Sequence, residues 1–277
     1  MVLGKSLLAT LAFTCVSAVA SSTWASSVTL TLFPSQASPE VGAFTNIVGN
    51  QATSAPGFGS GSWQAADTTA GSKSELYIPV GLLFSGTVTV NDIASIGYWT
   101  NKSSGAGAPD WVFLIYTAPQ SSGNEASWYH TRLNSEPYLT GTSSVAPGTW
   151  HQWSTNDPNN PMRFYDAGRD GNILGTYTDP TLASLQAGNV SWPHGSSVNY
   201  GSESIEYFSL QTGSGWADGF TGLVDGMQIT LKNGDTANVN LEAVPLPTAA
   251  WSAAPLLVGL AGLGVFRKFR RIAAVVV

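Results

Sequence analysis

Charge is what this sequence has least of. Only 10% of its 277 residues are Asp, Glu, Lys or Arg, against roughly a quarter in an average globular domain. The few charges divide unevenly. All 17 acids lie between Glu40 and Glu242, whereas Lys5, Arg267, Lys268, Arg270 and Arg271 put five of the 11 bases near the two ends. Residues 26–243 keep 6 bases against 17 acids, a net of −11. A body so acidic offers phosphates and anionic bilayers no basic patch, which argues against nucleic acid as a partner.

Cysteine and histidine are scarce as well. Cys15 is the one cysteine, so no disulfide framework can hold the fold. It sits in an opening with a basic residue (Lys5), an apolar run from Leu7 to Ala20 and small residues at Ala18 and Ala20. Those are the three parts of a secretory signal peptide, assigned to residues 1–25 with a second possible cut after Ala25. The three histidines, His130, His151 and His194, are scattered, without the H-E-x-x-H spacing that holds zinc. No G-x-S-x-G pentapeptide is present for a serine nucleophile. The residue types and spacings of common hydrolases are therefore missing, and the chain reads as non-catalytic.

Gly, Ser, Thr, Asn and aromatic residues fill the space left by charge. Short runs rich in Val, Ile, Tyr, Trp, Phe and Thr recur between turn residues: SELYIPV, GTVTVNDIASIGYWT, DWVFLIYTAP, ASWYHTRL, GTWHQWST, MRFYDA, ESIEYFSLQT, GLVDGMQITL and TANVNLE. Many short strands with turn signals predict an all-β antiparallel sandwich, a jelly roll, over residues 26–243. WVFLIYT (111–117) is apolar on both faces and reads as a central strand covered on both sides. Lys232-Asn233-Gly234-Asp235 predicts a tight hairpin. One helix is expected, Asp179–Gly188, with Asp179 as N-cap, Pro180 at the first helical position and Gly188 as terminator. Ser35 to Gly71, rich in Gly, Ser, Ala and Pro, reads as a loop-heavy lead-in.

Beyond residue 243 the pattern changes. Val244-Pro245-Leu246-Pro247 is followed by 18 uncharged residues, Ala249–Phe266, and then by Arg267, Lys268, Arg270 and Arg271. As a helix the uncharged segment extends about 27 Å, close to the ~30 Å of a hydrocarbon core. The bases after it are a membrane stop that stays cytoplasmic. The prolines fix φ and remove donors, so 244–247 is extended and separate from the helix. Proline motif, apolar helix and basic cluster together resemble the PEP-CTERM sorting signal of Gram-negative bacteria, in its VPLP-type variant. The resemblance implies processing by exosortase, a membrane-embedded cysteine protease-transpeptidase, and delivery to the cell surface or the exopolysaccharide matrix. A plain single-pass anchor is the alternative. Within the body, IEYFSLQT and FTGLVDGMQITL resemble the closing strands of concanavalin A-like (laminin G-like) sandwiches, through a V-D-x-hydrophobic pattern. The E-x-D-x-x-E pattern of the glucanases with that fold is absent. Glu203 and Glu206, three apart, fall on opposite faces of a strand.

Two binding sites come into question. Eight of the ten tryptophans and all nine tyrosines lie in the body, and flat rings stack on the apolar faces of sugars. Trp150, Trp153 and Trp192 are the candidate glycan-binding residues, while Trp99 and Trp111 read as core. Asp166, Asp170 and Asn172 echo the start of a calcium loop, although the glutamate that closes an EF-hand is replaced by Tyr177. Three roles stay open at this point: polysaccharide binder, structural matrix component and glycoside-active enzyme.

Overall fold

A computed structural model describes residues 25–34, 44–66, 73–102, 110–120, 128–137, 145–167, 179–190, 198–213 and 220–243. The expected signal peptide up to residue 24, the sorting motif Val244–Pro247 and the basic stop Arg267–Arg271 lie outside them. Among the described residues no helix is long and apolar enough to cross a membrane.

The described residues form fifteen strands: β1 (Ser27–Leu32), β2 (Phe44–Thr45), β3 (Ile47–Asn50), β4 (Ser62–Ala65), β5 (Glu75–Pro79), β6 (Ile93–Asn101), β7 (Val112–Thr117), β8 (Arg132–Ser135), β9 (His151–Ser154), β10 (Tyr165–Asp166), β11 (Asn189–Val190), β12 (Val198–Asn199), β13 (Ile205–Gln211), β14 (Leu223–Leu231) and β15 (Thr236–Leu241). Each of the nine strand runs read from the sequence overlaps one of them, although ASWYHTRL reaches only the first half of β8. Among the described residues one α-helix, α1 (Leu182–Ala187), accompanies them. The fold is thus mostly β, and its strands form two main sheets.

One sheet has the order β10-β8-β7-β13-β5-β2 and is antiparallel throughout. β7 lies inside it and is buried along its whole length, as its apolar run predicts. The other sheet is built on β14, whose one edge pairs with β6 from Leu223 to Leu231. Its other edge is shared: β15 takes Met227–Thr230 and β4 takes Leu223–Val224. β9 pairs outside β6, and β1 outside β15. The β1–β15 pair is parallel, which corrects the expectation of a purely antiparallel sandwich. A parallel pair arises because the first and last strands of the body run side by side without a hairpin between them.

The hairpin from β14 to β15 turns at Asn233-Gly234, with Gly234 at φ 94°, and Gly234 N–H donates to Leu231 O at 2.9 Å. Between the sheets, alternate residues pack into one core. Ile96, Tyr98, Trp153, Ile229 and Val239 come from one side, and Leu76, Phe113, Ile115, Phe208 and Leu210 from the other. The rings of Tyr98 and Phe113 meet across the layer at 5.8 Å. Burying each such side chain contributes roughly 1.5–3 kcal/mol relative to exposure.

Three local readings are corrected. Ser35–Gly71 is not only a lead-in, since it carries β2, β3 and β4. β3 and β4 lack alternation and are fixed by distant contacts: a Cβ on Gly49 would lie 2.1 Å from Ala243 O, so the chain end packs directly on a bare backbone. The helix begins later than expected. Its N-cap is Thr181, whose Oγ1 accepts from Ser184 N–H at 3.3 Å. Asp179 O and Pro180 O are drawn away by Arg163 Nη1 and Phe164 N–H. Gly188, at φ 151°, ends the helix as predicted. Finally, Trp111 is buried as expected but Trp99 is not, because in β6 it is Tyr98 that points inward.

Candidate functional site

The outward side of the β14 sheet is a field of uncharged polar side chains. Alternation that buries Ile229, Val239 and Trp153 necessarily turns Gln228, Asn238 and Gln152 the other way. Strand pairing sets these in rows. Gly97 faces both Ser154 of β9 and Gln228 of β14, Gln228 faces Asn238, and Asn238 faces Thr29 of β1. The amides also bond to one another: Gln228 Nε2 donates to Asn238 Oδ1 at 3.0 Å, and Gln152 Nε2 to Gln228 Oε1 at 3.5 Å.

Two hollows flank this amide row and share Gln152, Gln228 and Asn238. The smaller, about 230 Å³, adds Ser95, Thr230 and Thr236. The larger, about 550 Å³, adds Trp99, Asn240 and a wall made by Pro56, Gly57, Phe58 and Gly59. No ionisable side chain is among the described residues lining either hollow.

The wall is held by two carboxylates. Asp225 is fully buried where β14 exchanges β15 for β4, a fork that leaves backbone N–H groups without ladder partners. Its carboxylate accepts from Ala55 N–H (3.0 Å), Gly226 N–H (2.7 Å) and Leu241 N–H (3.0 Å). Burial raises its pKa to about 6, against the pull of those three donors. Glu242 accepts from Ser60 N–H and Gly61 N–H, both at 3.0 Å, and from Asn240 Nδ2 at 3.1 Å. Phe58 lies over Gly226, where a Cβ would come within 2.6 Å of the ring. Gly226 also has φ 62°, so glycine is required twice over. Both carboxylates are filled by backbone donors and act as anchors for the wall.

The residues singled out from the sequence scatter. Trp153 is only 4% exposed, with Nε1–H donating to Thr100 Oγ1 at 2.8 Å, so it belongs to the core and cannot serve as a stacking platform. Trp150 is half-buried, and its Nε1–H donates to Thr53 Oγ1 at 2.9 Å beside the loop that leads to the wall. Trp192 lies outside the described residues, as do Asp170, Asn172 and His194. Asp166 is fully buried and accepts from Tyr200 OH at 2.5 Å. Among the described residues no three His, Cys, Asp or Glu side chains gather around a point that could hold a metal ion. His130 and Glu203 form a buried pair at 3.3 Å, and Thr117 Oγ1 donates to the same glutamate at 2.7 Å.

Sequence reasoning missed Trp99, Phe58, Gln152, Gln228, Asn238 and Asn240. The available signal was the alternation in MQITL and TANVNLE, whose polar half is amide and hydroxyl with no charge.

The other sheet turns rings outward. Tyr77, Tyr116, Trp128, Tyr129 and Tyr207 form a cluster with centroids 4.6–6.3 Å apart. Trp128 is 43% exposed, and Tyr116 is buried at the centre, accepting from Gln211 Nε2 at 3.0 Å.

Comparison with known proteins supplies no relative for this arrangement: no family model, no curated protein and no solved structure matches the chain.

Proposed function

We propose that this is an exported, non-catalytic glycan-binding protein of a Gram-negative cell surface or exopolysaccharide matrix. Residues 1–25 direct export. The VPLP-type signal at Val244–Pro247, the apolar helix and Arg267–Arg271 hold the chain in the inner membrane until exosortase processes it. The body is a jelly-roll sandwich of the concanavalin A-like kind, and polysaccharide is its ligand. Calcium at Asp166, Asp170 and Asn172 is not needed for this role.

The observation that supports the reading is the larger hollow on the β14 sheet. It combines one indole, Trp99, with primary amides and hydroxyls and no charge. Apolar ring faces meet the C–H faces of sugars, and amides match hydroxyls because both donate and accept. An enzyme acting on glycosides needs two free carboxylates about 5–10 Å apart, and here Asp225 and Glu242 are occupied by backbone N–H groups.

Affinity electrophoresis of the full chain in mild detergent, through gels cast with a panel of polysaccharides, tests the function. Retardation on at least one glycan is the expected result, with or without calcium. Uniform migration through every gel would leave a structural matrix component as the better account. For sorting, mass spectrometry of the surface-located protein is expected to find nothing beyond about Pro247, and recovery of the Arg267–Arg271 peptide would contradict processing.

A further inference from the structure

The shape and charge of the larger hollow specify its ligand more narrowly. Resting on the glycan-binding reading, we infer that the site takes an internal stretch of a neutral, extended polysaccharide lying across the strands. Acidic glycans and chain ends are not its ligands.

Direction comes from strand order. The lining side chains come from five neighbouring strands: Gln152 of β9, Trp99 of β6, Gln228 of β14, Asn238 and Asn240 of β15 and Thr29 of β1. Gln152 pairs with Trp99, and Gln228, Asn238 and Thr29 pair in turn one step further along the strands, past the bulge between Asp225 and Gln228. At this level β9 and β1 are the edge strands of the sheet among the described residues, since each pairs with one neighbour only. The lining therefore spans five strands, about 19 Å at a strand spacing of ~4.8 Å. That spacing is close to the length of one pyranose in an extended chain, so successive sugars meet successive strands. Trp99 offers its ring from β6, and the wall at Phe58 closes one flank while the amide row closes the other.

Neutrality comes from what lines the site. A primary amide has two N–H donors and an oxygen with two lone pairs. Gln228 spends one donor on Asn238 Oδ1 and accepts one bond from Gln152, which fixes its orientation and leaves a donor and an acceptor to spare. Asn240 is held by Glu242 through Nδ2, and its Oδ1 is buried without a hydrogen-bond partner among the described residues. A sugar hydroxyl reaches that acceptor once the Asn240 side chain turns towards the hollow it lines. Carboxylates, sulfates and phosphates only accept, so they leave the amide oxygens unmatched. Among the described residues no cation lines the hollow to compensate for their charge, and the surrounding body is strongly acidic.

The test uses the full chain in mild detergent, titrated calorimetrically with neutral glucose and mannose oligomers of one to six units and with oligouronates of matched length. Affinity for a neutral series is expected to climb up to about four units, the number of steps between five strands, then level off. Oligouronates are expected to bind at least tenfold more weakly, and the neutral affinity to change less than twofold between 20 and 200 mM salt. Asn240→Asp, which replaces the amide by a second carboxylate beside Glu242, is expected to weaken the neutral series tenfold. Gln64→Ala, on the same sheet but outside the hollow, keeps it unchanged and controls for folding. Equal or tighter binding of uronates, or an affinity already complete with one sugar, overturns this inference while leaving glycan binding intact. Absence of binding by both series overturns the glycan-binding reading as well.

Discussion

The two sheets of this sandwich turn opposite chemistries outward. Among the described residues the β10-to-β2 sheet presents five aromatic rings, and the β14 sheet presents amides and hydroxyls around one indole, Trp99. Counted by aromatic residues, the first face resembles a binding platform more closely. Its rings, however, pack on one another, so much of their apolar area is already buried, and Tyr116 at their centre is a core residue of a small second cluster. On the other face Trp99 shares a hollow with Phe58 and stands beside groups that can match hydroxyls. A ring that is free at one face and flanked by mixed donors and acceptors is worth more to a ligand than several rings that satisfy each other.

That contrast can be broken by substitution. Tyr116→Ala should produce the largest change, a loss of about 3 kcal/mol or more in unfolding free energy from an emptied aromatic site, read by urea denaturation. Glycan affinity of the folded fraction should stay as it was. Trp99→Ala should do the reverse, lowering affinity tenfold or more, about 1.4 kcal/mol, in the same gels or calorimeter while denaturation moves by less than 1 kcal/mol. Gly226→Ala lies between the two. It forces φ 62° on an alanine and pushes a methyl into Phe58, so the wall should shift, with a loss of about 1–2 kcal/mol in stability and a severalfold loss in affinity.

A smaller effect separates the faces by pH. Burial raises Asp225 to about 6 and Asp110 to about 7, the latter against hydrogen bonds from Thr100 Oγ1 and Trp111 N–H. Both values stand above the ordinary carboxylate near 3.9, so between the two limits the native protein binds more protons than the unfolded chain. Stability should therefore increase as pH falls from 8 towards 5, with the gain from these groups complete near pH 4. Melting temperatures at pH 8 and pH 5 measure it, and Asp225→Asn should flatten part of the slope. The smallest change is expected from Trp128→Ala, about 1 kcal/mol in stability from its contacts with Tyr116 and Tyr129 and no loss of glycan retardation.

Much of the fold is legible in the sequence because its signals are local. Alternation in GMQITL and TANVNLE marks β14 and β15, and Asn233-Gly234 states the turn between them. β3 and β4 are less legible, since IVGN and SWQA owe their place to Ala243 and to β14, which follow them by more than 150 residues. The parallel β1–β15 pair has no local sign at all. The site was hidden for a related reason. Its members run from Thr29 to Asn240 on five strands and the 56–59 loop, so apart from that loop no motif contains two of its key side chains beyond Asn238 and Asn240. Trp99 was misplaced because Tyr98 and Trp99 are both aromatic, and a period of two cannot say which of two neighbours faces the core.

One measurement bears most directly on the central claim. In a nitrogen-15 correlation spectrum each tryptophan indole gives its own N–H signal, and single Trp→Phe variants assign them. Titrating in a polysaccharide that retards the protein should move the Trp99 indole signal and leave Trp128 in place. Movement of Trp128 with Trp99 unchanged would put the ligand on the aromatic face and contradict the account.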